Sequence, residues 1–189
     1  MIISLSGPSG IGKGFTKEGI LKLHPDIEDL AWFTTRLLRP NEQKGGNRIH
    51  VSLSEFDELE ESGELVLIQD LYGHRYGVKK EDLLPCPNIK LTELHPNILK
   101  EALDINPEIL AIGFVTFDFL LLHKRLSVVR KTESAEEIEQ RVVIAKSEID
   151  AILQQEALFT SVIEVTEATE ASVLEQVFAV LAPYLKKGG

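Results

Sequence analysis

Near its amino end the chain reads GPSGIGKGF, placing Gly7, Gly12 and Lys13 in the pattern G-x-x-x-x-G-K. Glycines at these places let the backbone wrap until successive N–H groups converge on one point, and a helix starting at the lysine adds its positive dipole end. A phosphate chain is the ligand such a loop suits, with the Lys13 ammonium reaching the β- and γ-phosphates. Gly7, Ser9, Gly10, Ile11, Gly12, Lys13 and Gly14 are therefore the candidate contacts of a nucleoside triphosphate, ATP or GTP. Gly14 stands where a Ser or Thr hydroxyl ordinarily ligates Mg²⁺. Thr16 is two residues on, about 200° around a helix, and is a poor direct substitute. The metal ligands are thus unassigned, and Mg²⁺ is expected to be held by phosphates and water.

The loop needs a strand before it and a helix after it. "MIISLS" is an apolar run suited to a buried strand, and the apolar residues Phe15, Ile20, Leu21 and Leu23 suit a helix over residues 13–23, stopped by "HPD". "LAWFTT" reads as a second strand. Residues 36–80 have a different texture. Turn residues "PNEQKGGN" precede a strand "IHVS", a short helix "LSEFDELEES", and two strands joined at "YGH" as a hairpin. Beyond them, strand-like "NIKLTEL" and "EILAIGFV" alternate with helical "PNILKEALD" and "FDFLLLHKRL". A long charged helix over residues 135–158, the strand "SVIEV" and an amphipathic helix complete the chain, which ends in a frayed "KKGG" tail. Such alternation predicts an α/β fold with a parallel sheet wrapped by helices and a small mixed insertion.

Charge separates the possible ligands. The net charge of −10 argues against nucleic acid as a partner. Yet residues 36–80 hold seven bases, including Arg36, Arg39, Lys44, Arg48 and Arg75. Residues 132–185 hold only Arg141 and Lys146 among eleven carboxylates. A basic island in an acidic chain suits a small anionic ligand better than a polymer. No apolar run approaches a membrane span, the first residues have no signal-peptide pattern, and the single Cys86 has no internal partner; a cytoplasmic location without membrane contact is expected. His24, His50, His74, His95 and His123 show no metal spacing.

Four separated motifs carry a resemblance to the guanylate kinase family. After the "GPSGIGKG" loop come "TTRLLRPNEQKGG", similar to T-T-R-x-x-R-x-x-E-x-x-G, then "VSLSEF", "SGELV" and "YGHRYGV". Further on, "KRLSVVRKTESAEEIEQR" resembles the family's lid, with one extra residue between "RL" and Arg130. The resemblance covers residues 2–181 and implies the P-loop nucleoside monophosphate kinase fold. It implies a P-loop core from residues 1–34 and 81–189, a helical lid at about residues 125–145, and an acceptor-binding insertion over residues 35–80. It also implies an ATP- and Mg²⁺-dependent phosphotransferase acting on a small phosphorylated substrate, a nucleoside monophosphate being the leading class. Arg36, Arg39 and Tyr76 match the clamp on the acceptor phosphate, where guanidinium groups grip bidentately. Lys13, Arg130 and Arg141 match the groups that neutralise the transferring phosphoryl, with Arg125 assisting.

The departures cluster. Of the two carboxylates that read guanine in the family, one position is Leu67 and the other lies in a D-x-D strand that here leaves Lys90 and Thr92; the serine before T-T-R has become Trp32-Phe33. Gln69, which shares strand parity with Leu67, Asp70 and Glu93 are candidate substitutes. GMP is consequently not expected to be the preferred acceptor. Two alternatives stand beside this reading. The chain also resembles ribose 1,5-bisphosphate phosphokinases, which likewise lack the hydroxyl after the loop lysine, and guanylate-kinase-like modules that bind without catalysis have the same fold.

Overall fold

A computed structural model of the chain describes residues 1–38, 47–71, 73–129, 134–166 and 170–185. The first elements are β1 (Ile2–Ser6), α1 (Lys13–Leu23), β2 (Glu28–Asp29) and β3 (Trp32–Thr34), followed by β4 (Arg48–His50), α2 (Leu53–Glu61), β5 (Leu65–Leu71), β6 (His74–Lys79) and α3 (Lys80–Leu83). Then come β7 (Lys90–Glu93), a 3-10 turn (Pro96–Ile98) leading into α4 (Leu99–Ile105), β8 (Ile109–Val115), α5 (Phe119–Val129), α6 (Ala135–Gln154), β9 (Ser161–Glu164) and α7 (Glu170–Leu185).

The larger sheet is parallel throughout, in the order β2-β7-β1-β8-β9. Every residue of β1 is buried, which is why its sequence is an unbroken run of apolar and small side chains. Successive side chains leave opposite faces. Ile3 and Leu5 join Ile20, Val177 and Leu181 in a core containing residues of α1 and α7, while Ile2 joins Leu99 and Ala111 on the face that α4 covers. This fixes the carboxyl end of β1, and the loop after it, at the middle of the sheet's open edge. Among the described residues, no helix is long and apolar enough to cross a membrane.

A second, mixed sheet runs β4-β3-β6-β5. The "AWFTT" strand belongs to it and not to the parallel sheet. Leu30 N–H still donates to the Leu91 carbonyl of β7 at 2.9 Å, but two residues later Trp32 N–H donates to Asn47 at 2.8 Å. The ladder changes partner there, and the chain passes from one sheet to the other.

Two further details differ from the periodicity. The long helix ends at Gln154, where Gln155 departs to φ −112°, ψ 22° before a short 3-10 turn at Glu156–Leu158. In β5 the register against β6 shifts between Val66 and Gln69, and Leu67 takes φ 55°. A left-handed leucine costs about 1–2 kcal/mol. Burying its side chain completely returns about 1.5–3 kcal/mol. The bulge cancels the expected shared parity: Leu67 enters the core, while Gln69 faces the cleft described next.

Candidate active site

A cleft of about 1200 Å³ lies between the two sheets and α5 and α6. One wall is the loop after β1. Ser6 at the end of the strand donates its hydroxyl to the Leu94 carbonyl at 2.8 Å, tying the loop's root to β7. A Cβ on Gly7 would lie 2.8 Å from the carbonyl oxygen of Phe114, so the loop can pass β8 only without a side chain. Gly12 precedes α1 in a left-handed conformation and provides no side-chain cap, which leaves the first-turn N–H groups of the helix for an anion. Lys13 Nζ donates to the carbonyls of Gly7 at 2.6 Å and Pro8 at 3.1 Å, bending its charge back over the loop. Gly7, Ser9, Gly10, Gly12, Lys13 and Gly14 all face the cleft. Ile11 does not; its side chain is buried in the core and its carbonyl accepts from Arg125 at 3.3 Å.

The geometry fits a polyphosphate. It supplies no hydroxyl at the usual metal position: Gly14 has none, and the hydroxyl of Thr16 is buried and outside the lining of the cleft. Among the described residues, no cluster of three or more His, Cys, Asp or Glu side chains is arranged to hold a metal ion.

The opposite wall comes from the mixed sheet. Pairing of Thr34 with Tyr76 across β3 and β6 brings Arg36 beside the tyrosine, and Arg36 Nε donates to the Tyr76 hydroxyl at 3.3 Å. Thr34 steadies the turn by accepting from Arg36 N–H at 3.1 Å, and Arg36 also donates to the Leu37 carbonyl at 2.9 Å. Arg36 and Tyr76 thus form one unit facing the loop. Arg39 lies outside the described residues. Arg75 belongs elsewhere: it stacks on Phe56 at 4.6 Å and is bonded to Asp57 and Glu60, joining β6 to α2. Those carboxylates raise its pKa. Asp70 is exposed and 3.8 Å from Arg75, so it is not a cleft residue.

Behind Trp32, which lines the cleft, lie the residues at which the sequence departed from its resemblance; Leu67, Val78, Lys90 and Thr92 are not on the lining. The Trp32 indole N–H donates to the Thr92 hydroxyl at 2.9 Å, and both residues are buried. Leu67 and Val78, each with no exposed surface, share the same apolar cluster as Trp32. Lys90 is engaged with Asp82 at 2.7 Å. Arg48 lies over the Trp32 ring at 5.8 Å. Beside them, Lys17 Nζ meets Asp29 at 2.6 Å. The Asp29 carboxyl titrates above its ordinary range because burial penalises its charge, which Lys17 and Arg48 partly offset and Glu93 reinforces.

The third side is helical. Ser134 and Glu137 form a reciprocal cap that starts α6, and Arg141 of that helix faces the cleft. Glu148, two turns further along, accepts from His95 Nε2 at 3.2 Å, linking α6 to the segment after β7. Arg125 and Lys124 reach the cleft from α5. Arg130 lies outside the described residues. The structure therefore brings Lys13, Arg36, Tyr76, Arg125 and Arg141 to one cavity, with Glu93 and Gln69 on its lining.

Lys17, Asp29, Asn47, His74 and Glu148 are cleft residues that sequence reasoning missed. Only Lys17 had a signal, its place one helical turn after Lys13.

No protein-family model matches the chain. A guanylate kinase from Nostoc sp. (strain PCC 7120) is 33% identical over 153 residues, covering 79% of this chain and 76% of the relative. One from Lactobacillus acidophilus is 35% identical over 155 residues, covering 79% and 74%. The crystal structure of guanylate kinase from Anaplasma phagocytophilum superposes with a TM-score of 0.71 over 100% of this chain and 87% of the other, at 18% identity, a likeness of fold. With a phosphate loop facing an arginine–tyrosine wall and identity at this level over three quarters of such relatives, the chain belongs to the guanylate kinase family of nucleotide-kinase-like phosphotransferases.

Proposed function

We propose that this protein moves the γ-phosphoryl group of ATP to a small phosphorylated acceptor that is not recognised as guanine, a nucleoside monophosphate being the leading class. The observation that carries the second clause is the bond from the Trp32 indole to Thr92, closed in by Leu67 and Val78. Guanine presents N–H donors at N1 and its amino group, and a site that reads it must offer acceptors. Here the Thr92 oxygen accepts from Trp32 and is fully buried off the cleft lining, and the Leu67 position offers only hydrocarbon. Loss of such acceptors forfeits discrimination by a factor on the order of 10⁴.

In this reading the loop amides and Lys13 bind the donor phosphates, with Lys13 exchanging the Gly7 and Pro8 carbonyls for phosphate oxygens. Arg36 and Tyr76 hold the acceptor phosphate, joined by Arg39 as the resemblance implies. Arg125 and Arg141 flank the transferring group from the helical side, with Arg130 as a further member. Transfer of this kind depends on positioning and on spreading negative charge over cations. Residues 35–80 then act as the acceptor-binding unit, residues 125–145 as a lid that excludes water, and residues 1–34 and 81–189 as the core. Magnesium, when bound, would offset charge on the phosphates; the position after Lys13, Gly14, contributes no hydroxyl to it.

Gly14, together with the loss of the D-x-D carboxylates at Lys90 and Thr92, favours a module that binds nucleotide without turnover. Purified protein with Mg-ATP, tested for ADP formation against the nucleoside monophosphates and ribose 1,5-bisphosphate, separates the readings, with Lys13→Ala as control. Acceptor-dependent turnover lost in Lys13→Ala supports transfer. Its absence with every acceptor leaves the binding module, and fastest turnover with GMP refutes the exclusion of guanine.

A further inference from the structure

The cleft holds a lysine–carboxylate pair that the transfer scheme does not use. Lys17 is only 9% exposed, yet it and Asp29 both line the cavity. Lys13, Gly14, Phe15, Lys17, Glu18 and Leu21 of α1 line the cleft, so Lys17 is the next cationic residue on that lining after the glycine that lacks a hydroxyl.

Stability does not explain the pair. Desolvating two charges costs about as much as their attraction returns, and apolar side chains of similar volume are commonly as good or better. Asp29 feels that cost directly, since burial is the largest influence on its titration. A buried lysine held by one carboxylate at the edge of an anion-binding cavity has a different use. Lys13 shows the pattern in the same cleft, with its ammonium resting on Gly7 and Pro8 carbonyls that phosphate oxygens can replace. Lys17 rests on Asp29 in the same way, on the lining of the cavity that it shares with the loop, Arg36 and Tyr76.

We propose that Lys17 is a second phosphate-binding lysine, held by Asp29 until it moves onto the phosphoryl group passing between the loop and the arginine–tyrosine wall. No bond is made or broken in this step. The ammonium keeps its proton and exchanges one oxygen partner for another, while Arg48 remains close enough to compensate Asp29. Lys17 thereby brings positive charge to the stretch of α1 where Gly14 offers no metal ligand. This inference rests on the phosphotransferase reading above.

The test compares Lys17→Met, Lys17→Arg, Asp29→Asn and the double variant Lys17→Met/Asp29→Leu. Melting temperature, ATP affinity and turnover with the best acceptor are measured for each. The double variant removes both charges together, so it remains folded even where Lys17→Met alone leaves Asp29 stranded. It is expected to melt within about 3 °C of the unmodified protein or above it. Its turnover is expected to fall about 100-fold, the scale set by loss of one charge-stabilising donor. Lys17→Arg should recover part of that loss, and Asp29→Asn should keep most of the activity because the lysine charge remains. A folded double variant that turns over at the original rate overturns the inference and leaves the phosphotransferase reading intact. Loss in Asp29→Asn as deep as in Lys17→Met overturns it too, by making the pair itself the requirement. An unmodified protein that binds ATP but shows no turnover with any acceptor overturns both.

Discussion

Gly14 is the residue on which the chemistry of the loop turns. A Cβ built there meets nothing within 4 Å, and the residue is helical, so nothing steric forbids a serine. Gly14→Ser should leave the fold intact and strengthen the first turn of α1 by about 0.5 kcal/mol. If the hydroxyl becomes a metal ligand, Mg²⁺ should tighten ATP binding by about tenfold more than in the parent, as read by titrating ATP with and without the ion. An unchanged Mg²⁺ effect would mean that the ion is held elsewhere. Thr92 gives the opposite kind of test. Thr92→Val removes the acceptor of a buried indole N–H and should cost about 1–3 kcal/mol in a denaturant melt. The substitution should not create a preference for GMP. Gly7→Ala places a Cβ against the Phe114 carbonyl, at 2.8 Å, and should lower both stability and ATP affinity, by about 1–3 kcal/mol in the melt.

At the scale of elements, the cap of α2 makes a prediction about pH. Ser52 and Glu55 satisfy each other's backbone N–H groups, and the bonds that the Glu55 carboxylate accepts from the Ser52 hydroxyl and then from its N–H hold it below the ordinary value of 4.5. Just below that value the unfolded chain binds a proton that the native cap does not, so this contribution to stability rises with pH and is lost as pH falls through the lowered folded value. Asp29 acts in the other direction. Its pKa is raised from 3.8, the native state holds the proton longer, and its contribution falls as pH rises through that window. Urea melts between about pH 3 and about pH 6 should show a shallower acid-side rise for Glu55→Gln and a steeper one for Asp29→Asn. Ser52→Ala should cost about 1 kcal/mol where the glutamate is charged. These elements were largely legible beforehand. The runs "MIISLS" and "EILAIGFV" are continuously apolar and "LSEFDELEES" has a helical period, and the structure puts strands on the first two and a helix on the third. The bulge at Leu67 was not legible, because alternation along β5 is a property of one strand and the slip depends on its partner.

At the scale of the whole molecule, the cleft couples ligand binding to stability. ATP at 100 times its dissociation constant should add about 2.7 kcal/mol. For a chain of 189 residues that is a rise of about 5–10 °C in melting temperature, absent in Lys13→Ala. A rise equal in both proteins would place the nucleotide outside the loop.

The amino-acid sequence by itself determined the loop, the order of its flanking strand and helix, the α/β class with its parallel sheet and the family. Each rests on residues close together in the chain, where spacing and periodicity are the physics. The family resemblance it carries also implied that Leu67, Lys90 and Thr92 stand at the positions of the guanine-reading acids. Only the tertiary structure decided what Thr92 touches, because Trp32 and Thr92 are sixty positions apart and meet through the passage of the chain from one sheet to the other. The same holds for Lys17 and Asp29, which belong to a helix and an edge strand whose contact is set by packing. Neither residue's type betrayed its partner, since an ion pair across elements leaves no period in the sequence.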